Sequence, residues 1–236
     1  EEHYAQYIQE NYTHFSHAPY RRKLWIMLHR LRATLRQVQQ ALQDESQVEI
    51  LPHAYRNEEE YLDDLLLIHQ SLTEHGDKEA ADARLLDLGA GTGLLGEKLY
   101  GRGYRHLVGM DGSHGMLTQA SRKGTYRLLC RMALGRPLGF PDHYFDGLLA
   151  AGVYTPGHAP PDSLFELSRI LRPGGIIIFS LKWDGKFKED FLAILQQMKN
   201  TAGWHCQSWS AAYRSWPWAD EAQEARVLVY KQACRP

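Results

Sequence analysis

No apolar run in this 236-residue chain approaches the roughly 20 residues that cross a bilayer. The opening "EEHYAQYIQE" has neither the basic segment nor the apolar stretch of a signal peptide. Membrane insertion is therefore not expected. The chain begins without methionine, which is compatible with trimming and a removed targeting segment. Cysteine is scarce. Cys130, Cys206 and Cys234 are odd in number, widely spaced and without C-x-x-C pairing. That argues against a disulfide framework and a thiolate zinc site, and makes a reducing, cytoplasmic compartment the expectation. Charge of one sign is lacking too: 27 Lys and Arg face 28 Asp and Glu, a net charge of −1. No global field draws the chain to nucleic acid or an anionic membrane. Metal-ligand spacing is also missing. His14 and His17 are three apart but have no further ligands nearby in sequence, so no metal is expected.

What is present suffices for a buried core: 44% of residues are hydrophobic and 23% charged. The length suits one large domain, or one domain with an appendage. Residues 1–82 read as a helical extension. In "RRKLWIMLHRLRATLRQVQQAL", Leu24, Leu28, Leu31, Leu35, Val38 and Leu42 step by four and three, a helix stripe. Arg21, Arg22, Lys23, Arg30, Arg32 and Arg36 make that helix basic. Such charges suit RNA phosphates or, more commonly, a solvated helix face. The apolar stripe either packs on the following domain as a lid or pairs two chains into a homodimer. A second helix starts at Asn57, with Glu58, Glu59 and Glu60 suiting its positive end, and stops at Gly76.

Residues 83–236 alternate strands with helices. Strands are expected at 84–88, 106–110, 126–132, 145–151, 176–181, 204–209 and 225–231, and helices from Gly93, Ser113, Pro161 and Lys186. The pattern predicts an α/β fold: a Rossmann-like, seven-stranded, mostly parallel sheet with helices on both faces. The link "SAAYRSWPWADEAQE" holds Pro217 and reads as a loop, which makes the last strand antiparallel.

The first strand runs into "LLDLGAGTGLLGEKL". From Gly91, "GTGLLG" satisfies the G-x-G-x-x-G dinucleotide fingerprint. From Asp87, "DLGAGTG" is a D-x-G-x-G-x-G loop suited to S-adenosylmethionine. Gly89, Gly91 and Gly93 allow a tight turn and close ligand approach, and the following helix points its amides and positive end at that ligand. Asp111 ends the second strand 18 residues after Gly93, where a carboxylate accepts from both hydroxyls of a ribose. Adenosine is common to both ligands, so Asp111 does not choose between them. Asp87 does: it would repel a pyrophosphate and suit an ammonium and sulfonium.

Residues 85–181 resemble the class I S-adenosylmethionine-dependent methyltransferases. "LLDLGAGTG" looks like their first motif, "VGMDGSHGML" their second, "FPDHYFDGLLAAG" their fourth strand, and "LFELSRILRPGGIIIFS" their following helix, turn and fifth strand. "MDGSHGMLTQA" and "FDGLLAAGVYTPGHAPPDSLFELSRILRPGG" look most like the Williams–Beuren-region methyltransferase-like proteins. The resemblance implies that Asp87, Gly89, Gly91 and Gly93 hold the methionine part. Asp111 would hold the ribose, with Gly112 and Met116 flanking the adenosine. Ala133 and Leu134 would follow strand three at the adenine, and the backbone of Ala151 and Gly152 would face the methyl donor. Two departures stand out. Many relatives carry an acid after strand three, whereas "CRMALGRPLGFPD" has Arg131 and Met132 there. Relatives also open on a Tyr-Asp-rich lid; here Tyr4, Tyr7 and Tyr12 remain without an aspartate.

Methyl transfer from a sulfonium needs alignment and desolvation more than a set of catalytic groups. His158, in "AGVYTPGHAP", is the candidate base, and Tyr154 has similar standing; a solvent-exposed loop histidine is the competing reading. The N/D-P-P-F/Y tetrapeptide of amino- and amide-methylating relatives is missing, as is a placed catalytic thiol. Trp204, Trp209, Tyr213, Trp216 and Trp218 read as an aromatic substrate wall or as strand packing. The expected function is methyl transfer to a small molecule, with a protein side chain as the lesser option. An NAD(P)-dependent oxidoreductase and a cofactor-binding regulatory protein without transfer activity are the alternatives.

Overall fold

The computed structural model describes residues 62–76, 79–183, 185–214 and 224–234. The basic helix of 21–42, Tyr4, Tyr7, Tyr12, His14, His17, the start of the second helix at Asn57, Trp216 and Trp218 lie outside the described residues. Every described residue belongs to one compact unit, Gln47–Pro236.

Five described helices and eight strands alternate: α1 (Leu62–His75), β1 (Arg84–Leu88), α2 (Leu94–Gly101), β2 (His106–Asp111), α3 (His114–Arg122), β3 (Leu128–Arg131), β4 (Phe145–Tyr154), α4 (Ser163–Ile170), β5 (Leu171–Lys182), α5 (Gly185–Ala202), β6 (Trp204–Trp209), β7 (Tyr213–Arg214) and β8 (Glu224–Gln232). The sheet order is β3-β2-β1-β4-β5-β8-β6, with two-residue β7 beside β8. The pairs among β1 to β5 are parallel. Strand β8 is antiparallel to both β5 and β6. The expected sheet and its antiparallel last strand are therefore present. A dinucleotide fold of order 3-2-1-4-5-6 has no such inserted strand.

Alternate strand residues serve two cores, as period-two geometry requires. Leu86, Leu148, Ile177, Phe179 and Leu228 pack under α4 and α5, through Leu164, Leu167, Phe191 and Met198. Leu85, Leu149, Ile176, Ile178 and Val229 pack under α1 and α2, through Ile68, Leu72, Leu95 and Leu99. The last helix of the N-terminal region is thus part of the sheet's own packing. Gly76 closes it, donating its N–H to the Leu72 carbonyl at 2.9 Å.

Three expectations need correction. Strand β4 runs on to Tyr154 and not only to Ala151, with a register break between Ala150 and Tyr154. Strand β5 begins at Leu171: "RPGG" is a bulge within the strand, since Phe145 faces Leu171 while Gly147 faces Ile176. The link after β6 is not all loop, because Tyr213 and Arg214 pair with Ala225 and Glu224. In each case hydrogen bonds from a neighbouring strand extend the ladder into residues whose local pattern reads as a turn.

Candidate cofactor site

Because β1 to β4 are parallel, their carboxyl ends emerge at one edge. The segments 89–93, 111–116, 132–134 and 152–158 share that edge, where ligands sit in open α/β sheets. The loop after β1 is a run of left-handed turns, with φ of 68° at Gly89, 53° at Gly91 and 83° at Gly93. A side chain at Gly89 is barred twice, since its Cβ would also lie 2.5 Å from Val153 Cγ2. At Gly91 a Cβ would meet only the Gly89 carbonyl, at 4.0 Å. The loop therefore presents open backbone on its outer side, as close ligand approach requires.

Asp111 joins two of these segments. Its Oδ2 accepts from Gly91 N–H at 2.9 Å, and its Oδ1 from Ser113 N–H at 2.8 Å. The β2 end is thereby tied to the glycine loop, and Ala90 N–H reinforces the tie on the Met110 carbonyl at 2.9 Å. Each carboxylate oxygen keeps a second lone pair, so the group can still accept from vicinal hydroxyls. A Cβ at Gly112 would meet nothing within 4 Å. Arg131 Nε donates to the Gly112 carbonyl at 3.1 Å, which bridges β3 to this turn. Ser113 caps α3, accepting from Met116 N–H at 3.4 Å, and Met116 is half-buried on that first turn. Ala133 is exposed and Leu134 half-buried against the core.

At β4 the register break throws residues 151–153 into a bulge, and bulges re-aim backbone beside functional sites. Gly152 sits there at φ 64°. Its N–H donates to the buried Ser180 hydroxyl at 2.7 Å. Beyond the bulge, His158 is exposed, with Nδ1 2.7 Å from the Thr155 hydroxyl. That contact orients the ring on the carboxyl-edge loop.

Two expectations end in the core. Tyr154 is fully buried, its ring set edge-on against Phe179 and Phe191 and its hydroxyl 3.2 Å from Ser163 Oγ. Burial pushes its phenol well above the ordinary value. It cannot take a proton from an acceptor at the sheet edge, so the structure removes it as a base. Trp204 is fully buried too, donating to Ser168 Oγ at 3.2 Å. Trp209 is exposed and stands edge-on to Trp183, over which the Arg226 guanidinium lies 4.9 Å from the ring centre.

Asp87 is buried, not open on the edge. Period two turns it to the α1–α2 face, where it accepts from the Tyr126 hydroxyl at 2.6 Å. Burial, followed by the charge of Asp111, lifts its carboxyl to about 7, and the Tyr126 hydrogen bond pulls the other way. Tyr126, Ser180 and Thr155 are the partners that residue spacing did not single out. The only sequence signal for Tyr126 is the set of glycines that make room for it.

Among the described residues, no cluster of His, Cys, Asp or Glu could hold a metal, and no helix is long and apolar enough to cross a membrane. All three cysteines are free.

A methyltransferase-domain family model matches residues 86–179, which run from β1 into β5. A phosphoenolpyruvate carboxylase model matches residues 1–101, mostly outside the described residues. Its overlap with the first is β1, the glycine loop and α2, which are built into this sheet. Human methyltransferase-like protein 27 is 34% identical over 126 residues, covering 52% of this chain and 51% of that protein. Phosphatidylethanolamine N-methyltransferase of Cereibacter sphaeroides is 31% identical over 137 residues, covering 53% of this chain and 64% of that protein. The chain thus spans less than two thirds of either relative. A putative S-adenosylmethionine-dependent methyltransferase from Listeria monocytogenes shares the fold at TM-score 0.55, with 15% identity over 75% of this chain and 99% of that one. Motif order, strand order and the family match agree over residues 86–179, which form a methyltransferase domain of the class I, S-adenosylmethionine-dependent kind.

Proposed function

We propose that this protein transfers a methyl group from S-adenosylmethionine to a small-molecule acceptor. The observation that carries the cofactor reading is the Asp111 carboxylate fixed between the Gly91 and Ser113 amides, beside open glycine backbone. In this reading Asp111 accepts from the ribose hydroxyls. Gly112 and Met116 flank the adenosine, and Ala133 and Leu134 supply main chain and apolar contact at the adenine. The Gly89–Gly93 loop and the start of α2 receive the methionine carboxylate, to which the helix terminus is electrostatically suited. Asp87 supplies negative charge behind the loop for the ammonium. The bulge at Ala151 and Gly152 faces the methyl donor. The bound cofactor supplies an electrophilic methyl on a good leaving group, so the chain has to align the acceptor, exclude water and, for a protonated acceptor, take one proton. His158 is the base in this scheme, held by Thr155.

A small acceptor is favoured by the missing tetrapeptide of amino- and amide-methylating relatives and by the balanced charge. The free cysteines fit a reducing, cytoplasmic setting. The N-terminal region as a lid, or as a homodimer contact, is part of the same proposal. The dinucleotide alternative is disfavoured by the carboxylate before the loop and by the inserted antiparallel β8.

Isothermal titration with S-adenosylhomocysteine tests the cofactor site. Saturable binding is expected, and Asp111→Ala should weaken it by tenfold or more, about the loss of one charge-assisted hydrogen bond. No binding to the folded protein would remove the reading. A panel of small acceptors with labelled methyl donor then tests the transfer itself.

A further inference from the structure

Tyr126 fills a slot made by missing side chains. On the sheet side, Gly109 is the β2 residue in register with Asp87. A Cβ on Gly109 would come within 3.0 Å of Tyr126 Cε1. On the helix side, a Cβ on Gly96 would fall 2.1 Å from Tyr126 Cζ, and one on Gly93 would fall 3.2 Å from Cε2. The ring is thus clamped between β2 and α2, with its hydroxyl at two groups of the proposed cofactor site. It donates to Asp87 Oδ2 at 2.6 Å and accepts from Gly96 N–H at 3.1 Å.

Both contacts answer a local need. Helix α2 begins at Leu94 with Gly93 as its N-cap, and glycine has no side chain to cap it. The Gly96 amide is one of the first-turn donors that an α-helix leaves without an intrahelical acceptor. Tyr126 accepts it from 30 residues away. Asp87, meanwhile, is buried beside a second carboxylate, and both conditions favour its neutral form. Its hydrogen bond from Tyr126 favours the carboxylate.

We propose that Tyr126 is a positioning residue for cofactor binding: through one hydroxyl it orients the Asp87 carboxyl and fixes the N-terminal turn of α2, so that the cofactor's ammonium and carboxylate meet the acid and the helix end at a set spacing. This rests on the S-adenosylmethionine reading. The ionisable groups facing Asp87 are the Tyr126 phenol and the Asp111 carboxylate, and Glu97 of α2 faces Tyr126. Burial first, then the Asp87 charge, raises the phenol well above its ordinary value, so it stays a donor at neutral pH. Affinity for a ligand carrying an ammonium then rises as Asp87 loses its proton, near pH 7.

The test is titration of S-adenosylhomocysteine between about pH 6 and 8.5 into the wild type, Tyr126→Phe and Asp87→Asn. Phenylalanine keeps the ring in its slot and removes only the hydroxyl. The expected result is affinity that rises with pH in the wild type. In Tyr126→Phe the midpoint should move up by about one unit, with roughly fivefold weaker binding at pH 7. Asp87→Asn should bind weakly with a flat profile, and it keeps the inference testable if Tyr126→Phe folds poorly. A Tyr126→Phe protein that binds with wild-type affinity and profile would overturn the role of Tyr126, as would an Asp87→Asn protein that keeps the wild-type profile. Absence of binding by the wild type is a separate outcome: it overturns the cofactor reading and this inference with it.

Discussion

Gly96 bears no side chain because Tyr126 already occupies that volume. The dinucleotide fingerprint also uses its third glycine for close helix–strand packing, so this position does not discriminate between ligands. It does make a sharp stability prediction. Gly96→Ala ordinarily favours a helix, but here it must push a clamped aromatic ring and break its two hydrogen bonds. A destabilisation of about 1–3 kcal/mol in urea unfolding is expected, typical of overpacking. A stabilised variant would contradict the clamp. The glycine loop and Asp111 could be read from spacing, since each follows its strand directly. Tyr126 could not, because it reaches Asp87 across 39 residues of sequence. Tyr154 misled for the reverse reason: it lies in the right segment, but a bulge at 151–153 decides which side chains reach the edge.

Strand β4 carries a second buried acid at the opposite edge of the sheet. Asp146 accepts from Arg84 N–H at 2.9 Å and from Arg172 Nε at 2.5 Å, with Arg84 Nε at 3.5 Å. One carboxylate thus stitches β1, β4 and the bulged start of β5. Asp146→Ala removes the buried acceptor shared by two partly exposed guanidiniums and the Arg84 amide, and should cost about 1–3 kcal/mol. Asp142→Ala removes a contact to Arg169 from a side chain that is 60% exposed, and should change stability by less than about 1 kcal/mol. Denaturant titration of both variants checks the contrast, and equal losses would show that the Asp146 cluster is not a buried staple. The helix and strand pattern announced β4 and β5, but the bulge and the acid that pins it depend on which strands become neighbours.

At the scale of the whole molecule, Asp87 couples folding, pH and ligand. Its carboxyl is raised from 3.8 to about 7, so the folded chain holds a proton that the unfolded chain releases. The stabilisation from this group is complete below about pH 4 and is lost as pH rises through 7. Asp87→Asn, which never carries the charge, should match the wild type near pH 4. At pH 8 it should be more stable, by a difference on the order of a few kcal/mol. Thermal unfolding of both proteins across that range, without ligand, gives the difference curve. A constant difference would mean that Asp87 does not titrate in the folded protein. Near pH 8 the buried charge costs stability while serving the proposed ammonium site, a trade characteristic of functional sites.

Sequence alone determined the α/β architecture, since apolar runs of strand length alternating with helix-period segments leave few other ways to bury both faces of a sheet. It also placed the glycine loop, Asp111 and the antiparallel last strand, which follow from neighbouring residues and one interrupted link. Tertiary structure decided what surrounds each group. It buried Asp87 under Tyr126, sent Tyr154 and Trp204 into the core, left His158 on the carboxyl edge and set Ser180 under the Gly152 amide. The reason is physical: spacing along the chain fixes which face of an element a side chain leaves from, but burial, proton affinity and hydrogen-bond partners depend on what other elements bring to that face.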